Sequence, residues 1–477
     1  MSVVKVPING YPYQNIDGVE LKEMPERLVD GYVNEAGTYV QRPGLLEFAD
    51  TGEASEITGE YYWAEKDITV VVSNQNIYKV TSDGVKTDIT GDQLTSNNRT
   101  IFAEVVDGDN SHHLCMCDGG RIVSWDGAAG VTTLIANGNT PTTVTFIAFI
   151  DGYLLANRGD NVFQWSDLNN FDSWDATNFA TAETNNDTID AIIVQQRDVF
   201  LFGKHSVEVW YSTGGVEIFA RRIGAEIDDG TLAPYTIQKA MGTLLWLNRE
   251  RRVVALVNRT TKIISTPFDS VFAGLTTVID ARADKMIVDG RGFYIMTFPL
   301  EDKTYVYDYQ KDGWCEWAYW NNGTSEYNQY RGAFIIYIPE WGKHLVGDRS
   351  NGKIYVASPD YFDDDGDTIR FLLRSGHVDH GTFIRKRSNK LRIHVKRGVA
   401  TVAETNPLLT IRWRDDGGLW SNAAFQDLGL GLIGEDQYYA DLLRNGIYRA
   451  RQYEIVHTDA TEFRMMGMEE TVDRMTS

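Results

Sequence analysis

One short strand, carrying an aromatic or branched pair, returns through most of the chain at a near-constant interval, and this beat limits the possible folds. It reads IYKV (77–80), IVSW (122–125), VFQW (162–165), VEVW (207–210), VVAL (253–256), TYVY (304–307) and IYVA (354–357), with starts 40 to 51 residues apart. A β-rich unit every ~40–50 residues is the spacing of propeller blades. Several of these strands follow a second apolar strand across a polar turn, as in DITVVVSNQNIYKV, HHLCMCDGGRIVSW, DGYLLANRGDNVFQW, RDVFLFGKHSVEVW and GTLLWLNRERRVVAL. The turns SNQN, DGG, NRGD, GKHS and NRERR hold residues that accept a positive φ or bond their own backbone. Ring closure can share strands between the chain ends, so the seven markers leave six or seven blades.

The beat sets the domain plan. Residues 1–50 read as an extended N-terminal arm ending in QRPGLLEF, suited to ring closure or subunit contacts. Residues 51–360 carry the propeller. Near YFDDDGDTIRF (361–371) the beat stops, and NKLRIHVKRG, LLTIRWRDDGG and RQYEIVHTD alternate with one apolar face. That pattern predicts a C-terminal antiparallel β-sandwich over 361–477. Helix is expected only in EMPERLVDGYV (23–33) and in QYYADLLRNG (437–446), ending at Gly446. The expected class is therefore all-β, and Gly (43) outnumbering Pro (11) suits many strands joined by tight turns.

Charge narrows the partners. A formal net charge of −22 argues against nonspecific binding of the whole chain to nucleic acid or to a membrane surface, both of which need positive charge. An acidic wall around DNA would still let the polyanion slide. No stretch approaches the ~20 apolar residues of a membrane helix, so no membrane insertion is expected. MSVVKVPINGYPYQN lacks the pattern of a secretory signal, which points to synthesis in the cytoplasm. Three cysteines (Cys115, Cys117, Cys315) do not suggest a disulfide framework.

Candidate chemistry is sparse. In SHHLCMC (111–117), His113, Cys115 and Cys117 would share one strand face, but no second Cys/His pair exists to complete a zinc site. DDDGD (363–367) lacks the further ligands of an EF-hand and reads as a turn with Gly366 at positive φ. His205 reads as a hydrogen-bonded turn residue. There is no G-x-S-x-G elbow, H-E-x-x-H pair or Walker loop, and no cofactor is expected. VFQWSDLNNFDSW (162–174) sets Asp167 and Asp172 between aromatic rings, which suits either a glycosidase carboxylate pair or a turn whose side chains replace backbone partners. Ser166, Asp167 and Trp174 only echo the turn boxes of propeller sialidases. The turn is the favoured reading, and a sialidase-like depolymerase acting on host surface glycans is the alternative. The most basic stretch is RKRSNKLRIHVKR, and Arg385, Lys386, Arg387, Lys390, Arg392, Lys396 and Arg397 are its candidate contacts to a partner or DNA.

A longer pattern surrounds that turn. Trp165-Ser166-Asp167-Leu168, Trp174, an acidic Asn-rich segment, Asp190-Ala191-Ile192, Leu201-Phe202-Gly203, Ser206-Val207-Glu208-Val209-Trp210 and Gly214-Gly215 follow in order. Together with Asn34-Glu35 and Arg42-Pro43-Gly44, this resembles the tail hub, or nozzle, proteins of short-tailed phages, also called packaged-DNA stabilisation proteins. The resemblance implies a non-enzymatic virion protein of a podovirus tail. It further implies a homo-hexameric ring below the portal-adaptor, a lumen that carries double-stranded DNA during ejection, a tail needle or plug, and tail fibres or spikes nearby.

Overall fold

The computed structural model describes residues 2–14, 25–128, 130–182, 187–420 and 426–475. The chain divides into two compact units: Glu47–Met286 with Arg331–Val356, and Met1–Leu46 with Ile287–Tyr330 and Ala357–Ser477.

The first unit is a six-bladed β-propeller. Blades 1 to 5 are four-stranded antiparallel meanders over residues 57–88, 101–134, 147–181, 191–221 and 238–263. Blade 6 has Gly332–Ile338, Lys343–Asp348 and Lys353–Ser358, and takes its fourth strand from Gly44–Asp50. There the Glu47 carboxylate meets Lys353 Nζ at 2.5 Å, and Thr51 N–H donates to Gly352 O at 3.0 Å. A ring closed by a strand from a distant part of the chain leaves no long edge for aggregation.

Each marker in these blades is the third strand of its meander. The recurring aromatics are there because neighbouring blades pack face to face on them. Trp63 meets Trp125 edge-on at 5.7 Å between blades 1 and 2, Phe163 meets Trp210 at 5.2 Å between blades 3 and 4, and Phe202 meets Trp246 at 5.3 Å between blades 4 and 5. At the closure, Tyr62 of blade 1 packs on Trp341 of blade 6 at 5.5 Å. The turns behave as their residues require: Asn74, Gln75, Gly119, Gly159 and Arg251 all have positive φ. The GKHS turn is held differently, by Asp187, whose carboxylate accepts from His205 N at 2.7 Å.

The second unit holds the remaining marker. TYVY lies in Lys303–Asp308, in a meander of Arg282–Val288, Arg291–Phe298, Lys303–Asp308 and Gly313–Glu316. Unlike a propeller blade it does not stop there. The sheet continues through Arg27–Val29, Phe371–Arg374, Arg451–His457, Leu408–Asp415 and Gln426–Gly429. A further sheet runs Gly31–Val33, Tyr39–Gln41, Arg464–Arg474, Lys386–Val395 and Ala440–Leu443. Alternation holds where one face is covered, with Leu391, Ile393, Leu409 and Ile411 fully buried. Arg451–His457 is buried along its whole length, as expected of a strand covered on both faces.

Neither sequence-expected helix is present among the described residues. Of 23–33, residues 23 and 24 lie outside the described residues, and the rest forms strands Arg27–Val29 and Gly31–Val33 around Asp30 at φ 55°. Within 437–446, Ala440–Leu443 pairs with Lys390–Ile393, so sheet hydrogen bonding overrides local helix propensity. The α-helix found among the described residues is Asp269–Gly274.

Candidate functional site

The carboxylates of WSDLNNFDSW have separate partners. Asp167 Oδ2 accepts from Ser173 Oγ at 2.6 Å, Oδ1 accepts from Asn178 Nδ2 at 3.0 Å, and its N–H donates to Ser173 O at 2.8 Å. Ser166, fully buried, accepts from Leu154 N–H at 3.0 Å. Phe171 and Trp174 close over the turn, and Trp174 Nε1 donates to Phe171 O at 2.9 Å. Asp172 instead stands beside His113 and Asp107: burial raises its pKa and His113 opposes the shift. Both oxygens of Asp167 are thus committed to holding the turn.

Those two rings also explain SHHLCMC. His112–Cys117 is the second strand of blade 2. Its face carrying His113, Cys115 and Cys117 packs on blade 3, with both thiols in one apolar cluster with Phe171 and Trp174, and the His113 ring 4.6 Å from Phe171. His113 Nε2 lies 3.2 Å from Asp107 Oδ2. Burial pushes both thiols far above their ordinary pKa, which leaves them protonated. Among the described residues no group of three His, Cys, Asp or Glu side chains could hold a metal ion.

In the second unit, DDDGD and RPG meet in one buried node. Asp363–Asp364 and Asp367–Thr368 form a small hairpin with Asp365 at φ 56° and Gly366 at φ 88°. Asp364 points inward. Arg42, fully buried, places Nη1 2.9 Å from Asp364 Oδ1 and Nη2 2.7 Å from Oδ2, while Nε donates to Asp30 Oδ1 at 2.7 Å. The guanidinium also lies 4.9 Å from the Tyr330 ring centroid. Gly44 is required because a Cβ there would come within 2.4 Å of Asp363 O. The triplet Arg42-Pro43-Gly44 is thus a structural lock on the acidic hairpin.

The basic run is largely neutralised within the chain. Lys386 is buried and donates to Thr382 O at 2.6 Å and Ile384 O at 2.9 Å. Arg392 grips Asp441 through two bonds of 2.7 and 2.9 Å, and Lys390 lies 3.9 Å from the same carboxylate. Lys396 meets Glu462 at 2.5 Å, and Arg397 meets Glu435 at 3.2 Å. Arg385 and Arg387 remain exposed.

A second cationic surface is invisible to a search for basic runs, because its members are far apart in sequence. Arg27 lies opposite Arg374 on neighbouring strands, with Arg412 and Arg414 two strands beyond. Arg27 pairs with Glu316, while Arg374 and Arg412 share Glu454. The guanidinium groups of Arg374, Arg412 and Arg414 stand 5.0–5.1 Å from the Trp420 ring centroid. Arg414 donates instead to Gln452 Oε1 at 2.5 Å, and the Gln452 amide in turn bonds Glu26, so four guanidinium groups stand among three carboxylates.

Blade signatures committed to packing and a carboxylate turn committed to its own backbone mark a β-propeller structural protein. The family model described as "Bacteriophage P22 Gp10, beta-propeller" (Phage_stabilise) matches residues 15–361. The chain belongs to this family and is a structural tail protein of a phage virion. No curated protein matches the chain. Among solved structures it is similar to the computationally designed Ika8 protein (12% identity, TM-score 0.36, covering 66% of this chain and 99% of that one). It is also similar to the extracellular domain of the putative one-component system BT4673 from B. thetaiotaomicron (10% identity, TM-score 0.44, covering 86% and 58%). The WD40 propeller domain of Doa1 shows 10% identity and a TM-score of 0.41, covering 66% and 97%. Likeness at this level carries no functional information.

Proposed function

We propose that the protein is the subunit of the tail hub, or nozzle, of a short-tailed phage. Six copies form a ring below the portal-adaptor, retain the packaged genome and guide double-stranded DNA through a central lumen during ejection. The distal end holds a needle or plug, and fibres or spikes attach nearby. The family match over residues 15–361 carries this reading. A propeller supports it physically, since face-packed blades make a rigid disc and closed cyclic symmetry satisfies every subunit interface. Arm residues 1–50 serve ring closure or subunit contacts, and residues 361–477 act as a C-terminal β-sandwich domain. Arg385 and Arg387 are the members of the basic run open to a partner or to DNA. The net charge of −22 favours an acidic bore, because fewer phosphate contacts mean weaker, less salt-dependent holding of DNA. Subunits are made in the host cytoplasm, and no catalytic step is assigned.

Electron microscopy of virions and of the purified chain tests the assignment. A sixfold ring at the tail tip is expected, with assembly either spontaneous or dependent on the adaptor. Absence of the chain from the tail, or turnover of a reporter glycoside that is lost in Asp167→Ala, would overturn it. A strongly basic bore in the assembled ring would remove the acidic-wall part alone.

A further inference from the structure

The first strands of blades 1 to 5 and the residues leading into them line a cavity of about 390 Å³, within the range of small-molecule sites. Its lining includes two parallel ring pairs. Tyr61 stacks on Phe102 at 5.5 Å and 21°, and Phe146 stacks on Tyr235 at 5.5 Å and 22°. Ile193 contributes further apolar wall.

Arg99 in the lining is buried, donating to Ala333 O at 3.0 Å and Ala283 O at 3.4 Å, paired with Asp284 and 3.6 Å from the Phe334 ring centroid. That guanidinium is already satisfied. The exposed member of the lining is Lys239. Lys285, just outside the lining, donates from Nζ to the Lys239 backbone O at 3.0 Å, and its charge acts on the Lys239 ammonium. Among the described residues neither ammonium pairs with a carboxylate. The one carboxylate in the lining, Glu104, is engaged at 2.8 Å by His112 Nδ1.

We propose that this axial chamber binds a small planar aromatic anion, a carboxylate or sulfonate, with its flat body between the ring pairs and its charge at Lys239 and Lys285. Flat apolar bodies gain from offset stacking on aromatic walls. Ammonium groups gain from an anion that forms charge-assisted hydrogen bonds with them. The surrounding protein partly desolvates these exposed side chains and lowers both from their ordinary pKa, and Lys285 lowers Lys239 further, a cost that such an anion relieves. The site lies wholly within the propeller unit and does not depend on the assembly role.

Calorimetric titration of the purified full chain with naphthoate tests the site, with the uncharged naphthol as the comparison and anilinonaphthalene sulfonate as a fluorescent reporter. One-to-one saturable binding is expected. The double variant Lys239→Met/Lys285→Met should weaken naphthoate by about tenfold, a loss of about 1.4 kcal/mol, and leave naphthol unchanged. Ile193→Trp fills the chamber and should abolish binding of both. If Ile193→Trp does not fold, the lysine variant decides alone, since both lysines are exposed and their loss leaves the core intact. No binding of naphthoate to the wild-type chain, or equal binding with and without the lysines, overturns the proposal.

Discussion

Asp167, in the blade-3 turn, finds its side-chain partners six and eleven residues along the chain. Asp30, in the other unit, is held by Arg42 and by the backbone of Ala318, 12 and 288 residues away, and Arg42 also reaches 322 residues to Asp364. Both arrangements satisfy a carboxylate, but they fail differently. A local turn at the surface can exchange a lost bond for water. The Arg42 node lies in the interior, where an unpaired charge has nowhere to go.

The comparison is tested most severely by Arg42→Met. It strands two buried carboxylates and should cost about 3–5 kcal/mol in urea unfolding. A loss below about 1 kcal/mol would erase the distinction between the two regions.

Next comes the pH dependence of the same node. Burial raises Asp30 from 3.8 to about 6, against the opposing pull of Arg42. The folded state therefore binds this proton more tightly than the unfolded chain. The contribution is complete below about pH 4 and is lost as pH rises through about 6. Relative to Asp30→Asn, whose amide fits the left-handed backbone there, the wild-type chain should lose up to about 3 kcal/mol across that window. Denaturation curves at stepped pH measure the difference, and parallel curves for both proteins would contradict it.

Asp167→Ala should cost less, roughly 1–2 kcal/mol, because two side-chain bonds go while the backbone turn remains. Differential scanning calorimetry should show a folded protein with a lowered midpoint. The smallest effect is expected at Arg392→Ala, roughly 0–1 kcal/mol, since its pair with Asp441 is partly exposed and screened. An effect as large as that at Arg42 would mean that this pair also supports something beyond its own strand.

Much of the propeller was legible because its signals are local. The third strand of a blade needs large rings for its neighbours, so Trp125, Trp165 and Trp210 recur at the blade interval. SNQN and NRERR name their own turns through residues that accept positive φ. Ser166 and Asp167 likewise show the turn they build. Other features depended on chain segments that no local pattern connects. Residues 437–446 have helix-forming content, yet Ala440–Leu443 is a strand because Lys390–Ile393 offers unpaired backbone beside it. The run 385–397 is conspicuously basic in sequence, but Asp441, Glu462 and Glu435 come from other strands to neutralise it. The arginines gathered around Trp420 show the converse: they form a surface only when three strands are laid side by side.

The amino-acid sequence by itself determined the all-β class, the blade interval, the turn chemistry and the structural role of Asp167, because each is set by residues within a few positions of one another. Tertiary structure decided which segment completes blade 6, which charges survive pairing, how Arg42 locks the acidic hairpin, and that Lys285 reaches the backbone of Lys239 beside an aromatic chamber. Those outcomes depend on burial and on contacts across hundreds of residues, and electrostatic energy is set by what lies beside a group in space, not along the chain.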